Sequence, residues 1–172
     1  MGAEMMRVLA VATVALSLSV HAQQERYEEA KNVDPGKLCA QAQKRFPGSL
    51  QGVRALDSVL SEKVRPDQDY CSADLSQCEI RDIAFPGLEA SLLVKKATGE
   101  TGILMLTISD AKWKTLQPLG VGAQLSMAER YLGVKAQPAA SVLKVIGECT
   151  PIDVHHANGR VTKLRLDCQA CI

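Results

Sequence analysis

Six cysteines, all located after an N-terminal segment that resembles a secretory signal, constrain the fold of this chain more than any other feature. An even number of cysteines in an exported chain predicts a disulfide framework, and such bonds persist in oxidising compartments. We therefore expect the thiols to form cross-links, with Cys71 and Cys78 as a local pair. The full set of candidates is Cys39, Cys71, Cys78, Cys149, Cys168 and Cys171.

Residues 1–22 have the pattern of a signal peptide. Arg7 supplies the positive charge, residues 8–20 form an apolar run, and small residues at Val20 and Ala22 permit cleavage before Gln23. The run is shorter than the roughly 20 residues of a membrane-spanning helix, and the residue directly after the cleavage point is Gln23, not the cysteine that a lipid anchor requires. We therefore expect a periplasmic or secreted protein with no lipid anchor and no stable membrane insertion after cleavage.

Composition bears on the class of partner. The chain has 20 basic and 19 acidic residues, for a net charge of +1, and only six aromatic residues, including Trp113. Proteins that bind nucleic acids have a basic patch or a set of aromatic stacking residues, so nucleic acid is not an expected partner. We expect Trp113 to act as a packing anchor.

The sequence predicts a polar, mobile segment over residues 23–33 and a single α+β domain over residues 34–172. The first part of this domain, residues 34–65, is expected to be helical. Asp34 followed by Pro35 starts one helix, and Cys39 lies on its apolar face and is expected to point inward. Ser49 caps a second helix that ends at residue 65, and its apolar stripe is formed by Val53, Leu56, Val59 and Leu60.

A first β-meander is predicted over residues 77–110. Its three strands cover residues 79–85, 88–96 and 102–109, with Pro86-Gly87 as the first turn. The run from Ile103 to Leu106 is apolar on both faces, which indicates a central strand covered on both sides.

A helix and a second meander are predicted over residues 118–172. The helix spans about 125–132, with Ser126 and Glu129 as a capping box and Gly133 after its last residue. Strands follow over residues 142–149, 152–156 and 160–168. The domain is thus expected to be an antiparallel sheet from two meanders, packed with two N-terminal helices and one central helix and tied by disulfides.

Two registers are possible for the last hairpin. A two-residue turn at Asn158-Gly159 places Cys149 opposite Cys168, but it sets Ile152 and Val154 against charged residues. A three-residue loop over residues 157–159 places Ile152 opposite Leu164 and keeps an apolar face, and we prefer it because a one-residue slip exposes a whole face. The partner of Cys149 would then be Cys171 or Cys39, and the sequence does not choose between them.

Residues 118–168 resemble a known unit. The segment Pro118–Gly122, a short helix ending in Leu132-Gly133, and three strands with the turn sequence Asn158–Val161 are similar to the helix-plus-meander units of small exported bacterial proteins. The superfamily includes β-lactamase inhibitor proteins and small outer-membrane assembly lipoproteins. The resemblance implies an α+β fold and the binding of other proteins. The chain differs from the lipoproteins in lacking a lipid-bearing cysteine, and from the inhibitors in having few aromatic residues.

Three sequence features have the form of catalytic or metal sites. Cys168–Cys171 is a C-x-x-C motif, but only one residue follows it in the sequence, whereas the first cysteine of a redox site lies at the start of a helix. His155 and His156, adjacent on a strand, point to opposite faces, although one of them with Cys168 and Cys171 would suit zinc. Residues 141–144 match S-x-x-K, but they open a strand.

The sequence therefore predicts no catalytic residue, cofactor or metal. We expect a protein-binding module of the inhibitor, immunity or envelope-assembly type and not an enzyme. The alternative is a periplasmic thiol–disulfide redox protein that uses the C-terminal C-x-x-C motif.

Overall fold

A computed structural model of the chain describes residues 26–65, 77–114, 119–147 and 150–169. These residues contain three helices and eight strands, numbered separately in chain order. The helices are α1 (Pro35–Arg45), α2 (Leu50–Arg54) and α3 (Leu125–Leu132). The strands are β1 (Glu28–Glu29), β2 (Ser61–Arg65), β3 (Cys78–Phe85), β4 (Leu88–Lys95), β5 (Thr101–Ile108), β6 (Val142–Ile146), β7 (Pro151–Ala157) and β8 (Arg160–Asp167).

The eight strands form one sheet in the order β1-β6-β7-β8-β5-β4-β3-β2. Every neighbouring pair is antiparallel except β1 and β6, which are parallel. The two predicted meanders are present, and β5 pairs with β8 to join them into a continuous surface. The predicted combination of helices with an antiparallel sheet is confirmed at this level. None of the described helices has the length and apolar character needed to cross a membrane.

The core lies between the helices and one face of this sheet. Leu38 and Ala42 of α1 and Ala128 and Leu132 of α3 are buried, and they belong to the same apolar cluster as alternate residues of the strands. The predicted central strand is confirmed, because β5 lies between β4 and β8 and Leu104 is fully buried within it.

The N-terminal region differs from the prediction. Helix α1 begins as expected, since the Asp34 carboxylate accepts a hydrogen bond from the Gly36 N–H at 2.8 Å. The second helix is only five residues long, and residues 61–65 form strand β2 instead of its last turns. The prediction of a helical segment through residue 65 is wrong. The apolar residues between 56 and 60 are too few to distinguish a helix from a strand, and the pairing of residues 61–65 with β3 decides their structure.

The polar segment predicted to be mobile contains strand β1. Beyond that strand, the backbone N–H of Ala30 donates to the Ile146 carbonyl and that of Lys31 donates to the Leu132 carbonyl, both at 2.9 Å. Residues 26–33 thus run along the β6 edge of the sheet and reach the end of α3. Residues 23–25 lie outside the described part of the chain.

Helix α3 has the predicted bounds but not the predicted cap. Its N-cap residue is Gln124, without a side-chain hydrogen bond, so the expected capping box of Ser126 and Glu129 is wrong. The helix begins two residues too early for that motif, and the Glu129 carboxylate instead accepts from the Ala136 N–H at 3.0 Å. Gly133 ends the helix with a φ of 72°, as predicted.

The last hairpin resolves the conflict between the two predicted registers with a β-bulge. Asn158 and Gly159 form a two-residue turn with φ values of 51° and 70°. The pairing then shifts between His155 and His156, because Thr162 is an extra residue in β8. The preferred three-residue loop is therefore wrong. The apolar face that motivated it is kept, since Ile152 pairs with Leu166 and Val154 with Leu164.

Candidate functional site

Two of the cysteine candidates form a long-range disulfide. Cys39 of α1 is bonded to Cys168, which directly follows β8, with 5.7 Å between their Cα atoms. This bond ties helix to sheet, as the sequence predicts in general terms. It also excludes two of the pairings considered above, Cys149 with Cys168 and Cys149 with Cys39.

The remaining cysteines are described only in part. Cys78, at the start of β3, is also disulfide-bonded, and no described cysteine carries a free thiol. The predicted partner Cys71 lies outside the described residues, as do Cys149 and Cys171. The pairing of Cys71 with Cys78 stays a prediction.

The C-terminal C-x-x-C motif does not form its own disulfide. Cys168 is bonded to Cys39, is 7% exposed, and donates its backbone N–H to the Leu104 carbonyl at 2.7 Å. A redox-active cysteine has to be reached by a second thiol, and a buried sulfur offers little access to one. The zinc hypothesis loses a ligand for the same reason, because the Cys168 sulfur is already bonded.

The remaining candidate residues lie in strands or pack against neighbouring residues. His155 and His156 lie in β7, where no group of three or more potential metal ligands occurs within the described ranges. Val142, Leu143 and Lys144 of the S-x-x-K string belong to β6, so the string is not helical. Trp113 packs as expected: its indole N–H donates to the Pro86 carbonyl at 2.9 Å, and its ring lies 6.0 Å from that of Phe85.

The sheet face opposite the helices carries charges that compensate one another. On β7, the Asp153 carboxylate is 8% exposed and lies 3.7 Å from an Arg165 nitrogen on β8. Burial and the hydrogen bond that the Tyr27 hydroxyl gives to Asp153 raise the pKa of Tyr27. Toward the other end of the sheet, the Ser91 hydroxyl donates to Asp82 at 2.6 Å. The charged groups on this face are thus paired with groups of neighbouring strands, and Ile80, which shares the face of Asp82, is fully buried.

The outer edge of β2 is different, because its backbone has no neighbouring strand within the described ranges. Phe85 and Leu88 flank a two-residue turn and exchange backbone hydrogen bonds, so the odd residues of β3 bond to β4 and the even residues to β2. Within β2, the backbone groups of Glu62 and Val64 then point away from the sheet. No strand in the described part of the chain pairs with that edge. The residues that bond inward to β3 are Ser61, Lys63 and Arg65.

Exposed apolar side chains occur in β2 and in the residues just before it. The described residues include six large hydrophobic side chains that are exposed, and four of these lie between residues 56 and 64. We call the four the edge surface: Leu56 (37% exposed), Val59 (39%), Leu60 (66%) and Val64 (52%).

A network of ion pairs joins β2 to α2 and β3. Glu62 of β2 accepts from Arg54 of α2 at 2.6 Å and also from Arg81 of β3, and Arg81 bonds Glu79. The hydrogen bond from Arg54, assisted by that from Arg81, holds the pKa of the Glu62 carboxyl below its usual range although burial opposes this. Glu62 is thus fully engaged, while Lys63 on the opposite face of β2 is exposed.

Sequence reasoning did not find this site. It placed residues 49–65 in a helix with Leu56, Val59 and Leu60 on its buried stripe, whereas these side chains are exposed. The available signal was the composition of residues 61–65, three of which are charged, since edge strands are commonly rich in charge.

No protein-family model matches the chain, and no curated protein or solved structure matches it either.

Proposed function

We propose that this protein is an exported protein-binding module that works in the periplasm or outside the cell. The observation that carries the proposal is the edge surface. Single exposed hydrophobic residues are common on soluble proteins, but a group of them beside an open strand is typical of an interaction site. The edge surface has four such residues within nine positions of the sequence, one in β2 and three directly before it.

Export is supported by the disulfides. The Cys39–Cys168 bond and the bond made by Cys78 suit an oxidising compartment, and residues 1–22 have the pattern of a signal peptide. N-terminal sequencing of the protein isolated from its source is expected to begin at Gln23. A chain that begins at Met1 would contradict export by this route.

A binding role suits the chemistry of the described residues better than the redox alternative. Cys168, the first cysteine of the C-terminal motif, is bonded to a helix cysteine 129 residues away and is buried. The resemblance of residues 118–168 to units of exported proteins that bind other proteins points the same way. The partner would belong to the envelope or to the surroundings of the cell.

Affinity capture from the native envelope tests this function. The full mature chain is compared with a Leu60→Asp/Val64→Asp variant and with Met127→Asp, a matched control that changes an exposed apolar residue on α3. We expect the native chain and the control to retain the same partner in stoichiometric amount. The double variant is expected to retain at least about tenfold less of this partner. Equal retention by all three proteins, or no stoichiometric partner, would contradict the proposal.

A further inference from the structure

We propose that the β2 edge binds an extended segment of the partner protein as an additional β-strand, and that this segment alternates apolar with acidic residues. The inference rests on the proposed function and specifies its mode of binding. In strand addition, backbone hydrogen bonds give affinity and alternate side chains give specificity.

The backbone of β2 supplies the first part of the site. The N–H and C=O groups of Glu62 and Val64 point outward, and in the described part of the chain no backbone group bonds to them. These four groups have the spacing that an incoming strand requires, because residues i and i+2 of a strand present their polar groups on one side. The edge is also fixed in position, since Arg54 and Arg81 hold Glu62 from the helix side.

The side chains of β2 supply the second part. Val64 lies on the same face as Glu62 and the helices, and it is 52% exposed. Lys63 and Arg65 lie on the opposite face, where Arg65 pairs with Asp82 at 2.8 Å and Lys63 is exposed. An incoming strand would therefore place apolar side chains beside Val64 and acidic side chains beside Lys63, an alternation with a period of two.

A second copy of this chain is a poorer occupant. If two β2 strands pair antiparallel with both helix faces on one side, the outward residues Glu62 and Val64 have to meet each other or themselves. The three resulting registers set Glu62 opposite Glu62, Lys63 opposite Lys63, or Lys63 opposite Arg65. Like charges directly opposite one another destabilise a strand pair, so self-pairing is disfavoured and an acidic partner is favoured.

Peptide binding to the full mature chain tests the inference. The probe is a heptapeptide with capped termini that alternates glutamate and valine. One comparison peptide alternates lysine and valine, and the other, the block isomer, has the composition of the probe but places its glutamates and its valines in two separate blocks. We expect the alternating acidic peptide to bind at least about tenfold tighter than either comparison. We also expect slower hydrogen exchange at the amides of Glu62 and Val64 when it is bound. A Lys63→Glu variant is expected to reverse the preference between the two alternating peptides, while Lys163→Glu on β8 leaves it unchanged.

A proline variant separates backbone from side-chain contributions. Val64→Pro removes an outward N–H without removing a bond to β3, and proline is tolerated at such edge positions. Val64→Ala removes the valine side chain but keeps the N–H. We expect the proline variant to bind the acidic peptide several-fold more weakly than the alanine variant.

Three outcomes would overturn the inference: equal binding of the block isomer, unchanged exchange at Glu62 and Val64, or equal affinities of the proline and alanine variants. If the peptide experiments fail while the Leu60→Asp/Val64→Asp variant still loses its captured partner, the binding function holds and strand addition is wrong. If capture is unaffected as well, both are wrong.

Discussion

A single covalent bond, between Cys39 and Cys168, joins the first helix to the end of the last strand across 129 residues of chain. Because that helix covers the core and that strand lies in the middle of the sheet, the bond fixes the two halves of the described fold against each other. The sequence could place Cys39 on the inward face of its helix, but it could not select the partner. Which strand end a helix covers is decided by tertiary packing.

Removing this disulfide is expected to cost much of the stability of the protein. For a loop of 129 residues, the chain-entropy argument gives about 5 kcal/mol. Urea unfolding of a Cys39→Ser/Cys168→Ser variant, compared with the native protein under oxidising conditions, measures the effect. A loss below about 1 kcal/mol would contradict the cross-linking role.

Glu62 is expected to make stability depend on pH. The pKa of Glu62 in the folded protein is lower than its ordinary value of 4.5. Its contribution to the free energy of unfolding is therefore fully present above pH 4.5 and is lost as the pH falls through the pKa of the folded protein. Glu62→Gln should destabilise the protein by about 1–2 kcal/mol at pH 7, and this difference should shrink in acid. Chemical unfolding at several pH values measures it. The control is Glu100→Gln, which changes an exposed ion pair with Lys95. A difference that grows in acid would contradict the assignment.

At the scale of elements, turns and periodicity were the informative signals. Strands β3, β4 and β5 are within one residue of their predicted bounds because Pro86-Gly87 marks a turn and the strand pattern persists on both sides. Strand β2 was missed because its five residues are too short to show a period and its apolar neighbours also suit a helix. The bulge at Thr162 was missed because extra residues within a ladder leave no local mark.

The hydrophobic pattern, and not the bulge, is expected to hold the register of the last hairpin. Deleting Thr162 removes the bulge, so that strands β7 and β8 pair regularly from the same two-residue turn and Val154 still pairs with Leu164. We therefore expect the free energy of unfolding to fall by no more than about 1 kcal/mol. Deleting Arg165 sends either Leu164 or Leu166 out of the core and should cost about 2 kcal/mol or more. Thermal unfolding compares the two deletions. Equal damage would show that the bulge itself sets the register.

The docking of α1 against the second meander depends on a glycine. A Cβ at Gly147 would lie 2.2 Å from the Pro35 ring at the start of α1, so Gly147→Ala has to displace the helix. We expect the free energy of unfolding to fall by about 1–3 kcal/mol, which is typical when a side chain is added to a closely packed site. Gly120→Ala is the control, since a Cβ there meets no atom within 4 Å. Urea unfolding measures both variants, and a neutral Gly147→Ala would contradict close packing at this contact.

At the scale of the whole molecule, the sheet offers two kinds of surface. Its face opposite the helices carries pairs such as Asp153 with Arg165, which neutralise each other, while its β2 edge has no neighbouring strand among the described residues and carries exposed apolar side chains. The sequence predicted the general α+β architecture because local patterns specify strands and helices. It could not predict the edge, because the position of a strand within a sheet depends on long-range pairing between strands and not on the residues of that strand alone.

Site-specific photocrosslinking in the cells that make the protein tests the central claim most directly. A benzophenone amino acid is placed at position 64 on the β2 edge and, as a control, at position 163 on β8. The account predicts that one partner protein is captured at position 64 and not at position 163. Capture at neither position, or equal capture at both, would contradict it.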